Sequence, residues 1–95
     1  MEHELINLKE YCFHYKVESS FIHELEEMGL IRVFKQEEER FISMDSLKEL
    51  ESYSRMHYDL EINTAGIDAI KNLLNKIEVL ENEMNNLRNR LNLYE

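Results

Sequence analysis

A chain of 95 residues and 11.5 kDa holds one small domain, or one small domain with an appendage, and leaves no room for a multidomain enzyme. Twenty acidic against eleven basic side chains give a formal net charge of −9, the wrong sign for gripping a phosphate backbone, where affinity rests on counterion release by Lys and Arg. With 43% apolar residues the chain is too apolar to be disordered, yet no apolar run approaches the roughly 20 residues of a membrane span. The opening residues lack the basic-then-apolar build of a signal peptide, and the single cysteine, Cys12, suits a reducing compartment, so a cytoplasmic protein without membrane association is expected.

Two glycines and no proline leave few breakers and predict a mainly α fold. Leu8, Tyr11, Cys12 and Tyr15 recur at helical spacing, which predicts a short helix over residues 7–14, and Lys16 and Val17 break the pattern. A second helix follows, with Glu18 or Ser19 as N-cap and Phe21, Ile22, Leu25 and Met28 facing inward. Gly29 supplies the left-handed residue that ends it. Two short helices joined by a tight turn make a helix-turn-helix. Residues 30–34 are β-branched and apolar, 35–39 form a polar tip and 40–43 include Phe41 and Ile42, which predicts a short two-stranded wing without an Asn-Gly turn. Ser43 or Asp45 caps a third helix whose inward face is Leu47, Leu50, Tyr53 or Ser54, and His57 or Tyr58, and residues 59–62 form a connector.

From Asn63, a good N-cap, the chain runs to residue 93 with only Gly66 as an early weak point, a rod of roughly 45 Å at the α-helical rise. Ile70, Leu73, Ile77, Leu80, Met84, Leu87, Leu91 and Tyr94 alternate at spacings of three and four, a heptad seam. The head accounts for the first turns of this seam and runs out near Leu80. Beyond that the stripe needs a second helix, so a homodimer is expected with Ile70, Leu73, Ile77, Leu80, Met84, Leu87 and Leu91 at its interface. Flanking charges suit either direction: Lys76 meets Glu81 of a second copy in a parallel pair, and Glu81 meets Arg88 of a second copy in an antiparallel one. Each such exposed pair contributes only ~0.2 to 1 kcal/mol, so the apolar seam carries the stability. The division expected is a winged head over residues 1–62 and a dimerisation helix over 63–95.

The sequence carries little that points to chemistry. There is no Gly-rich phosphate loop, CxxC or HExxH, and no Ser/His/Asp arrangement favoured by spacing. Cys12 and His14 are two residues apart on different helix faces with no second ligand pair, so Cys12 reads as a core thiol. No catalytic residue, metal or cofactor is expected. The second helix, which enters a DNA groove in helix-turn-helix regulators, turns Ser20, His23, Glu24 and Glu27 outward and carries no Lys or Arg. Over residues 1–45, eleven acidic against five basic side chains give net −6. Such a reading head is turned to protein binding, and no nucleic acid is expected as a partner. The run Glu37, Glu38 and Glu39 is most simply a solvated hairpin tip and otherwise an acidic docking knob.

The run Glu10-Tyr11-Cys12-Phe13-His14, the segment Leu25-Glu26-Glu27-Met28-Gly29-Leu30-Ile31, and the stretch Asp59-Leu60-Glu61-Ile62-Asn63-Thr64-Ala65-Gly66-Ile67 leading into the rod together resemble the chaperone modulator (CbpM) family. These are small relatives of the MerR-type winged helix-turn-helix regulators. The resemblance implies a MerR-like winged head on a long coiled-coil helix, and antiparallel pairing of that helix. It also implies binding to the J-domain of a DnaJ-like co-chaperone, inhibition of that co-chaperone, and no enzymatic activity. J-domains present a basic helix to their Hsp70, so outward carboxylates (Glu24, Glu27, Glu37, Glu38 and Glu39) are the expected partner-binding residues. Two other readings are a DNA-binding transcriptional regulator of MerR type and a bare oligomerisation module. The metal-binding cysteines of MerR sensors are absent from the long helix.

Overall fold

The computed structural model describes residues 4–94. It opens on a strand, β1 (Leu5–Asn7), followed by α1 (Leu8–Tyr15) and α2 (Ser19–Glu27). A ribbon of β2 (Phe34–Gln36) and β3 (Glu39–Ser43) leads through a 3-10 turn (Met44–Ser46) into α3 (Leu47–Tyr58) and then α4 (Thr64–Leu93). Helix dominates, as composition predicts, and the arrangement is a winged helix-turn-helix head carrying one long C-terminal helix.

Local chemistry sets each boundary. The Asn7 side chain accepts from the backbone N–H groups of Lys9 and Glu10 at 2.9 and 3.2 Å, capping α1. Lys16 ends that helix in the left-handed region at φ 57°. Gly29, at φ +74°, follows the Met28 cap of α2 and lets Leu30 N–H reach back to the Leu25 carbonyl at 2.9 Å. The Ser43 side chain accepts from Asp45 N–H at 3.2 Å, so its cap serves the 3-10 turn and α3 begins only at Leu47. Asn63 caps α4 by accepting from Gly66 N–H at 2.8 Å. A Cβ on Gly66 would lie 2.7 Å from Ile62 Cγ2, so any larger residue here requires the Ile62 side chain to shift.

The sheet corrects the expected two-stranded wing. It has three antiparallel strands in the order β1-β3-β2, with Leu5 opposite Ser43, Ile6 opposite Ile42, and Phe34 opposite Phe41. β1 is three residues long, too short to show alternation, and it pairs because β3 offers a free edge. Residues 30–34 are also corrected. Leu30 and Ile31 are buried in the turn after α2 and the strand starts at Phe34, so their apolar character reflects core packing. The hairpin turn is Glu37 and Glu38, both left-handed at φ 49° and 67°, the geometry for which Asn-Gly is preferred.

The core gathers Leu8 and Tyr11 of α1, Phe21, Ile22 and Leu25 of α2, Ile42 of β3, Leu50 and Tyr53 of α3, and Ile67 of α4. Met28 and Tyr15, expected inward, are exposed. The Tyr15 ring instead lies 4.7 Å from that of Tyr11 on the surface of α1. His57 stacks on Phe21 at 4.3 Å with its Nδ1 3.0 Å from the Ile62 carbonyl, and Tyr58 Oη accepts from Glu18 N–H at 2.9 Å. These contacts lock the end of α3 to the start of α2. α4 touches the head only in its first turns: Ile67 is buried, Ile70 and Lys71 are half-buried, and every described residue from Asn72 onward is exposed. The head therefore runs out at Lys71, earlier than the expected Leu80.

Candidate functional site: the acidic head and the unpartnered rod

α2 presents three different faces because its residues divide by helical angle. Phe21, Ile22 and Leu25 enter the core, and Glu26, half-buried, reaches across to the Arg40 guanidinium on β3 and ties the helix to the wing. Glu24 lies on the side away from the wing, where it accepts from the Thr64 hydroxyl at 3.4 Å at the start of α4. Glu27 is exposed and pairs with His23 one turn earlier, at 2.6 Å. The residues that would meet a DNA groove are thus Ser20, His23, Glu24 and Glu27, without a Lys or Arg on the helix. The wing's arginine, Arg40, is already engaged by Glu26.

Glu37, Glu38 and Glu39 are exposed at the wing. Of the five carboxylates picked out from the sequence, Glu24 lies beside the start of α4, Glu27 is exposed on α2 beside His23, and Glu37, Glu38 and Glu39 lie at the hairpin. The structure leaves all five in contact with solvent.

Phe13 was not singled out from the sequence, yet its ring is 89% exposed in the middle of α1. Helical spacing carries the signal: Leu8, Tyr11 and Cys12 share one face, and position 13 falls on the opposite one. Beneath it, burial pushes the half-buried Cys12 thiol above the ordinary cysteine value, against the opposing influence of Arg40. Burial likewise raises Tyr11 above the usual phenol range, partly offset by a hydrogen bond with Ser54, while the carboxylate of Glu51 pushes the same way as burial. A core thiol held protonated is inert.

On the rod, Leu73, Ile77, Leu80, Met84, Leu87 and Leu91 all expose about half of their surface or more, whereas Ile70 is half-buried against the head. At the joint, Lys71 sits over the Tyr53 ring at 5.6 Å and reaches Glu49 at 3.5 Å. Its pKa is raised first by the hydrogen bond with Tyr53 and further by Glu49. Among the described residues, no group of three or more His, Cys, Asp and Glu is placed to hold a metal ion, and no helix is long and apolar enough to cross a membrane.

A family model described as "MerR HTH family regulatory protein" matches residues 6–89, the head and most of the rod. Comparison with curated proteins and with solved structures returns no match. The order of elements, two helices, a ribbon, a third helix and a long terminal helix, agrees with that match over most of its length. The chain belongs to the MerR helix-turn-helix regulatory family.

Proposed function

We propose that this MerR-family chain is a chaperone modulator that binds the J-domain of a DnaJ-like co-chaperone and inhibits it, acting as a homodimer through α4 and without enzymatic activity of its own. One observation carries the reading: the helix that reads DNA in this family's architecture has only Ser20, His23, Glu24 and Glu27 to offer, and its neighbouring wing ends in three carboxylates. Those groups repel phosphates and attract a basic protein surface. The resemblance of the Glu10 to His14 run and of the approach to α4 to chaperone modulators gives the basic surface an identity, the J-domain helix that engages Hsp70. Glu24, Glu27, Glu37, Glu38 and Glu39 then attract that helix, and the bound protein covers the face that Hsp70 needs.

The direct test is functional. Added in increasing amounts, the protein lowers the co-chaperone's action on its Hsp70 to a plateau, and raising the salt concentration relieves the inhibition. An unchanged co-chaperone activity at saturating protein contradicts the proposal, and specific retention of duplex DNA at ~150 mM salt returns the chain to transcriptional regulation.

A further inference from the structure

We propose that the groove between α1, the start of α2 and the wing is the docking site for a basic amphipathic helix of a partner protein, with Phe13 as the apolar anchor. The inference rests on the protein-binding function proposed above and supplies the place of contact.

The groove encloses about 570 Å³. Its floor is apolar: Leu8, Val17 and Ile22 are buried, and Cys12 is half-buried beside them. Phe13 stands on its α1 wall, and Glu38 and Glu39 of the wing form the opposite rim. A second depression adjoins the first, sharing Asn7, Lys9, Phe13 and Glu39 and adding Glu10 and His14. Phe13 and Glu39 thus line both hollows from facing walls.

Charge selects the occupant. The basic residues lining the groove are Lys9 and Arg40, and the Arg40 guanidinium is held by Glu26. Within the groove itself Glu38 and Glu39 balance Lys9 and Arg40; with Glu26, which holds Arg40, and Glu10 of the adjoining depression, the surroundings carry a formal net charge of −2 around an apolar floor. An acidic rim over an apolar floor complements a helix with apolar residues at i, i+3 and i+4 and Lys or Arg on its flanks. A phenylalanine ring can remove on the order of 150–250 Å² from water, so Phe13 is the natural centre of such a contact. Duplex DNA fits neither feature. Glu24, on the far side of α2, contributes long-range attraction without contact.

The probes are an isolated J-domain of a DnaJ-like co-chaperone and a helical peptide of leucines and lysines with this spacing, beside a version with glutamate in place of lysine. Full-length protein is titrated with each. Phe13→Ser is expected to weaken binding of the J-domain and the lysine peptide by about 30-fold, the effect of losing an interface hot spot. Phe13→Tyr retains binding, and Glu38→Lys with Glu39→Lys weakens it several-fold and flattens its dependence on salt. The glutamate peptide does not bind.

Phe13, Glu38 and Glu39 are exposed, so the melting temperatures of these variants stay at the wild-type value and a folding defect is recognised directly. A wild-type chain that binds the J-domain, with Phe13→Ser and the double lysine variant binding equally well, overturns the groove and leaves the J-domain function standing. A wild-type chain that ignores the J-domain but takes the lysine peptide through Phe13 does the reverse. Binding of neither probe removes both. A change in the sedimentation of the protein alone on Phe13→Ser assigns the groove to a second copy and also overturns the proposal.

Discussion

Tyr11 shows how a single burial event becomes a pH dependence. Folding withdraws its hydroxyl from water and raises its pKa, so the folded chain holds this proton more tightly than the unfolded one. A group raised on folding contributes stability below its unfolded pKa and loses it as the pH climbs through the folded value. Lys71, raised by Tyr53 and Glu49, has the same sign. Cys12, raised by burial, acts in the same sense at a lower pH. The melting temperature is therefore expected to hold steady up to about pH 8, to begin to fall near the ordinary thiol value, and to fall further above about pH 10, near the ordinary tyrosine and lysine values. Tyr11→Phe, followed by circular dichroism across this range, reduces the fall. An equal fall in the variant would place the alkaline sensitivity elsewhere. Glu37 and Glu38 pose a different question at the same scale. Both occupy left-handed backbone that costs a non-glycine residue roughly 1 kcal/mol, so Glu37→Asn with Glu38→Gly is expected to raise the melting temperature. The same change removes two carboxylates from the wing, and under the proposed function it weakens partner binding while it stabilises the fold.

At the scale of elements, helices were legible where a cap and an apolar stripe agreed. α4 shows both, with Asn63 at its cap and Ile67 buried at its fourth position, next to the half-buried Ile62 that precedes the cap. Asn63→Ala is expected to destabilise the head–rod joint by about 1 kcal/mol in chemical denaturation. β1 was not legible, because three residues carry no period and its pairing depends on an edge of β3 that sequence distance hides. Leu30 and Ile31 misled for a related reason: a short apolar run bounded by a turn has the same appearance whether it lies in a strand or under one. The wing carboxylates were visible as a charge run, but their separation from Glu24 across α2 emerges only when Arg40 and Glu26 fix the ribbon against one side of the helix. Phe13 was visible in principle, as an apolar residue off the buried face of its helix.

For the whole molecule, the radius of gyration is 17.6 Å and the longest extent 60 Å. A compact chain of this length would have a radius of gyration of about 12 Å. The excess is the rod, whose apolar stripe faces solvent from Leu73 to Leu91, uncovered by any described residue. Under the dimer proposed here, Leu80→Asp with Leu87→Asp yields monomers in sedimentation equilibrium and preserves much of the head's helical signal. A wild-type chain already monomeric at micromolar concentration contradicts the dimer. The same scale bears on partner choice: under the proposed function, a net charge of −9 on a fold shared with DNA-binding regulators disfavours nucleic acid and favours a basic protein surface.

Under the proposed function, this acidic member of the MerR family binds a protein through a fold shared with DNA-binding regulators. Calorimetric titration of the full-length chain with an isolated J-domain at several salt concentrations, beside the same titration with duplex DNA, tests it most directly. Saturable J-domain binding that weakens with salt, and no heat from DNA, is the expected result. Saturable, sequence-selective uptake of DNA with none of the J-domain would contradict it.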